Sequence, residues 1–245
     1  MPATFLTIAR RYRGPLTSGN GGYAAGLLAR TVGVPAVEVT LRLPPPLETP
    51  LEVRHDGDRT LLLHGEALVA EAHPADPGVL PPVAPSWDEA RAAGRRAGGW
   101  GAPEFDECFV CGTRPEGDGL GIHAGAVSER PGLVATTWVA HEVSPEVVWA
   151  AIDCPGAYAL HGEGRGEPLL ARITARVDRL PRDGERCVVV GWPLEEDGRK
   201  RHAATALYGE DGHPIAVSRQ LWITPAAKRP VGEAGAKGPV SPSVA

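Results

Sequence analysis

PEVVWAAIDCPGAYAL, residues 145–160, is apolar on nearly every side, the pattern of a helix buried on all faces rather than laid on a surface. The segments around it alternate or are rich in β-branched residues, as strands are. GLGIHAGAVS (119–128) and LVATTWVA (133–140) precede it, and LLARITARVDRL, ERCVVVGW, RHAATALYG and IAVSRQLWIT follow between 169 and 224. Asp197-Gly198 and Asp211-Gly212 mark tight turns among them. A buried helix followed by a meander of long strands predicts a curved antiparallel sheet wrapped around that helix.

The N-terminal part repeats the plan with less material. GPLTSGNGGYAAGLLARTVG (14–33) predicts a buried helix over 22–32, with Gly33 as its C-cap and Pro35 just beyond. VEVTLRL (37–43), LEVRH (51–55), RTLLLH (59–64) and ALVAEAH (67–73) read as strands, with a turn at Asp56-Gly57. Arg42-Leu43-Pro44 and Arg179-Leu180-Pro181 each lie nine positions before the next strand core, one internal match in favour of a repeat. The expected organisation is a first, shorter unit at 1–85, a spacer at 86–104, a second unit at 105–224 and a disordered tail at 225–245. Ser86 and Glu89 have capping-box spacing, so the spacer is expected to carry one short helix over 87–97.

Composition bounds the function. The chain has 245 residues, between one and two average domains at about 150 residues each. Its net charge of −5 offers no basic footprint for nucleic acid. It contains no run of about 18 apolar residues that would span a membrane. The start, MPATFLTIARRYRG, lacks the apolar core of a secretory signal, so the expectation is a cytoplasmic protein. Four cysteines fit a reducing compartment.

Cys108-Phe109-Val110-Cys111-Gly112, followed by Gly119-Leu120-Gly121-Ile122, resembles the opening of many hotdog-fold acyl-CoA thioesterases. The resemblance implies an α+β fold of two tandem hotdog units, an intrachain pseudo-dimer able to pair further as a homodimer. In the hydroxybenzoyl-CoA and phenylacetate-pathway types, the central helix begins with a Gly-Gly pair, and a carboxylate follows seven residues after the second Gly. Here Asp153 stands at the carboxylate position, but Pro145-Glu146 replaces the glycines. The first unit has the pair, in Asn20-Gly21-Gly22, but Ala29 where the acid would be. The two losses are complementary. Because the family's sites lie between units, the resemblance implies one composite site, with glycines from one unit and Asp153 from the other.

The chemistry suits those residues. A helix start presents unpaired N–H groups and partial positive charge, and glycine lets a substrate come close. Gly21 and Gly22 are therefore candidate oxyanion donors. Asp153, among Val147, Val148, Trp149, Ala150, Ala151 and Ile152, needs a partner or a raised pKa, and is the candidate general base or nucleophile. Its alternative role is to hydrogen-bond a helix break at Pro155-Gly156. Asn20, Ser18, Thr17, Tyr23 and His141 are candidate substrate contacts; the alternative for Asn20, Ser18 and Thr17 is to cap the helix, and for Tyr23 and His141 to serve packing or the surface. The glycines and Asp153 are expected to border one pocket. Cys108 and Cys111 have zinc-knuckle spacing, but Cys154 and Cys187 are isolated in the sequence. Without a second ligand pair, neither a metal nor another cofactor is expected. The expected partner is a small acyl thioester, acyl-CoA first. A non-catalytic acyl-thioester binding module is the alternative. A hotdog hydratase or dehydratase is disfavoured because its acid and histidine motifs have no clear match.

Overall fold

In the computed structural model, residues 4–97, 103–115, 117–161 and 167–224 are described. The expected tail at 225–245 lies outside them. The alternating segments form strands β1 (Thr4–Leu6), β2 (Ala36–Leu41), β3 (Leu51–Asp56), β4 (Arg59–His64), β5 (Ala67–Pro74), β6 (Gly125–Ala126), β7 (Val134–Val139), β8 (Leu169–Val177), β9 (Arg186–Asp197), β10 (Lys200–Tyr208) and β11 (Pro214–Ile223). They make one 11-stranded antiparallel sheet in the order β1-β3-β4-β5-β2-β8-β11-β10-β9-β7-β6. The seam between the early and late strands is the β2–β8 ladder, in which Val39 faces Ile173 and Val37 faces Ala175. All four of these side chains are buried, so the core runs unbroken across the seam.

One expectation for the strands changes. The stretch 119–128 yields only the two residues of β6, because Leu120 and Ile122 donate instead to the carbonyls of Phe109 and Val110 in the cysteine loop. The turns at Gly57 and Gly198 sit at φ 61° and 57°, the left-handed region that a Cβ disfavours.

Helix α1 (Gly21–Val32) starts on Asn20, whose side chain accepts the Tyr23 N–H, and ends on Gly33 at φ 79°. Helix α2 (Trp87–Arg96) begins at a complete Ser86/Glu89 capping box. It is not a loose connector: Ala90 and Ala93 are fully buried in a cluster with Val127, Leu133 and Val190. The apolar run 145–160 is two helices, α3 (Pro145–Ala151) and α4 (Cys154–Ala159). Pro155 has no N–H to give the Ala151 carbonyl, so the helix breaks and leaves Ile152 and Asp153 between its halves.

Helices α1 and α3 pack directly on each other. The contact depends on glycine one turn apart. A Cβ on Gly22 would lie 2.5 Å from the Asp153 Cβ and 2.7 Å from the Trp149 carbonyl oxygen, and one on Gly26 would lie 2.7 Å from the Glu146 Cα. Small residues bring the start of α1 against the break after α3.

Candidate active site

At that contact Asp153 is 2% exposed. Its Oδ2 accepts the Gly22 backbone N–H at 3.0 Å and the Asn20 side-chain amide at 2.9 Å. Its Oδ1 has no hydrogen-bond partner among the described residues. Burial pushes the carboxyl up to about 7; the Gly22 N–H opposes that shift, the charge of Cys108 adds to it, and the Asn20 amide opposes it. Such a group can take or give a proton near neutrality.

The bond to Gly22 corrects one expectation. Its N–H is not free for a thioester oxygen, because the buried carboxylate needs a donor and takes it. Gly21, the first residue of the helix, is the glycine of the pair that lines a cavity, with the Leu41 and Leu170 side chains close against it. That cavity, of about 300 Å³, is also bordered by Ser18, Asn20, Cys108, Asp153 and Cys154. Leu41, Leu43, Leu169, Leu170, Trp222 and Ile223 supply an apolar wall.

The other candidates divide. Asn20 does two things at once, capping α1 through Oδ1 and holding Asp153 through Nδ2. Ser18 is buried at the cavity wall, in an isolated bridge with Pro46. Thr17 is exposed and does not line the cavity. Tyr23 turns away from it, stacked on Tyr12 with ring centroids 3.9 Å apart, and serves the core. His141 is exposed, pairs with Asp183 at 3.2 Å and also lies off the cavity; its place just before α3 in sequence does not carry it inward.

Two groups were not found from sequence. Thr205 on β10 and Ser218 on β11 face each other across the ladder, with Gln220 beside them, all fully buried. The Thr205 hydroxyl donates at 2.7 Å, and the Gln220 amide at 2.6 Å, to the carbonyl of Ile152. These bonds satisfy the carbonyl freed by the helix break and fix the backbone immediately before Asp153. Gln220 Oε1 in turn accepts the Trp222 indole N–H at 2.8 Å. The readable signal is polar residues in otherwise apolar strands, HAATAL and AVSRQL.

The second group is the cysteines. Cys154 is isolated only in sequence: with Cys108 and Cys111 it forms a buried trio whose sulfurs all lie within 4.8 Å of one another. Cys108 Sγ is 3.9 Å from Cys154 Sγ and 3.9 Å from the Asn20 amide. Hydrogen bonds from the other two thiols hold the Cys108 thiol well below its usual range, while the same bonds push Cys111 and Cys154 up.

No protein-family model matches the chain, and no curated protein matches it in sequence. Solved structures do match its shape. A proposed thioesterase from Novosphingobium aromaticivorans is 14% identical with a TM-score of 0.63, covering 91% of this chain and 95% of its own. An acyl-CoA thioesterase II, TesB2, from Mycobacterium marinum is 11% identical with a TM-score of 0.54, covering 91% and 92%. A conserved hotdog-fold protein from Alicyclobacillus acidocaldarius is 11% identical with a TM-score of 0.54, covering 92% and 93%. With its antiparallel sheet and few helices, the chain has the α+β hotdog fold of these proteins.

Proposed function

We propose that the chain hydrolyses acyl thioesters, acyl-CoA first among them, at the cavity beside Asp153. In this reading the chain is two tandem hotdog units, with α1 the central helix of the first and α3–α4 that of the second. The site is composite, built from the first unit's helix start and the second unit's acid. The carrying observation is Asp153 itself: a buried carboxyl at a cavity wall, anchored through Oδ2 by donors from the other helix, with Oδ1 left unpartnered among the described residues. The fold likeness to proteins named as thioesterases points the same way.

Oδ1 takes a proton from water as the water oxygen attacks the thioester carbon, or attacks that carbon itself. The Gly21 N–H, at the positive end of α1, faces the developing oxyanion, a donor whose removal typically costs ~2.7–4 kcal/mol of barrier lowering. The C–S bond then breaks; in the first route the departing thiolate takes the proton that Asp153 took from water, and in the second a water hydrolyses the acyl–Asp153 anhydride, freeing the carboxylate and supplying the thiolate's proton. The acyl chain lies along the leucine and tryptophan wall. The test is turnover of a panel of short, long and aromatic acyl-CoAs by wild type and Asp153→Asn. Hydrolysis of at least one thioester, nearly abolished by Asp153→Asn, is expected. Wild-type rates equal to buffer across the panel would sink the enzyme reading and favour the binding module, while full activity in Asp153→Asn would remove only the assignment of the acid.

A further inference from the structure

Cys108, Cys111 and Cys154 are buried and converge from two separate elements, the 105–112 loop and the start of α4. Tetrahedral zinc thiolates have Zn–S bonds of about 2.3 Å, which places neighbouring sulfurs about 3.8 Å apart. The Cys108–Cys154 separation of 3.9 Å is already at that spacing. The loop that carries two of the sulfurs is closed on itself, with the Gly112 N–H donating to the Cys108 carbonyl at 2.9 Å. The turn needs Gly112, where a Cβ would fall 2.5 Å from the carbonyl oxygens of Asp106 and Cys108. Three buried thiols are a soft donor set, suited to a thiophilic d10 cation and ill suited to Mg²⁺ or Ca²⁺.

We propose that Cys108, Cys111 and Cys154 bind one zinc-class ion per chain through their sulfurs. Each ligating thiol gives its proton to solvent as its bond to the metal forms. Cys108 and Cys154 both line the cavity, so water completes the coordination from that side. The metal ties the cysteine loop to the first residue of α4, and so holds the segment that carries Asp153. The site stands independently of thioester hydrolysis, and its test reads the metal rather than activity.

Full-length protein, with all four thiols counted as free under anaerobic reducing conditions, is titrated with Co²⁺. Expected are a near-ultraviolet sulfur-to-cobalt charge-transfer band and the visible bands of a tetrahedral site, saturating at one ion per chain and erased by Zn²⁺. Cys108→Ser and Cys154→Ser each weaken binding by more than about a hundredfold, beyond the ~10–100-fold cost of losing an outer-shell partner. Cys187→Ala leaves it unchanged. Absence of the charge-transfer band in the fully reduced wild type overturns the proposal whatever the variants do. Wild-type affinity and band intensity in Cys154→Ser overturn the three-sulfur site.

Discussion

The Gly22 N–H donates at 3.0 Å to Oδ2 of Asp153, joining the first turn of one helix to the break between two others. This bond and the absence of a Cβ on Gly22 are inseparable, since a side chain there would occupy the place of the carboxylate's own Cβ. The α1–α3 contact and the placement of the acid are thus one arrangement.

Substituting this glycine disturbs both. Gly22→Ala is expected to cost ~1–3 kcal/mol through overpacking against backbone that has nowhere to shift, and to lose most thioesterase activity. Gly26→Ala, crowded by Glu146 and Trp149 instead, is expected to lose comparable stability while keeping more activity. Chemical denaturation and rates measured side by side check this; equal activity in the two variants would break the link between Gly22 and the acid.

Asn20 separates capping from chemistry. Asn20→Ser keeps an N-cap oxygen, whereas Asn20→Ala loses it for ~1 kcal/mol. Both remove the amide that reaches Asp153. Similar losses of activity in the two, with a stability loss confined to Asn20→Ala, are expected from thermal melts and initial rates.

Gln220→Leu removes one donor from the Ile152 carbonyl and leaves the Trp222 N–H unpaired. A cost of ~1–3 kcal/mol follows from the unsatisfied buried groups. Activity is expected to fall with kcat affected more than KM, since the residue positions Asp153 without lining the cavity. A variant as stable and active as wild type would show that the break holds itself.

Glu185 carries the acid lability. The Arg179 guanidinium, at 2.7 Å, together with the N–H groups of Arg182 and Glu210, holds its carboxyl down to about 2. A depressed carboxyl stabilises the fold above its unfolded pKa, and that stabilisation disappears as pH falls from about 4.5 toward 2. Glu185→Gln is therefore expected to be less stable near neutrality, by ~1–3 kcal/mol, and to show a flatter loss of stability across that acid window. Melting temperatures measured against pH for both proteins test it.

The elements of the fold were legible where local physics sets them. Asn20, Gly33 and the Ser86/Glu89 pair announced their helix ends, and alternating apolar residues marked the long strands. The apolar run at 145–160 was readable as buried, and Pro155 supplied the reason for its break. Convergence was not readable. Thr205 and Ser218 meet only through the β10–β11 register, and Cys154 meets Cys108 only because α4 packs beside a loop 46 residues earlier. Gly22 looked like an open donor because a helix start has free N–H groups, and nothing local revealed that the acid would claim this one. His141 and Thr17 stand next to site residues in sequence, but both are exposed and lie off the cavity.

The β2–β8 seam also governs how the chain can be divided. The sheet ends on β1 and β6, strands of three and two residues that offer little edge for another chain to extend. Cutting the polypeptide between its halves would unpair the seam, exposing five residues of β2 and the apolar side of β8 as a long bare border in each fragment. Separately expressed halves should therefore stick to themselves or to each other, and the intact chain stays clear of that fate because its longest unprotected border is its own interior.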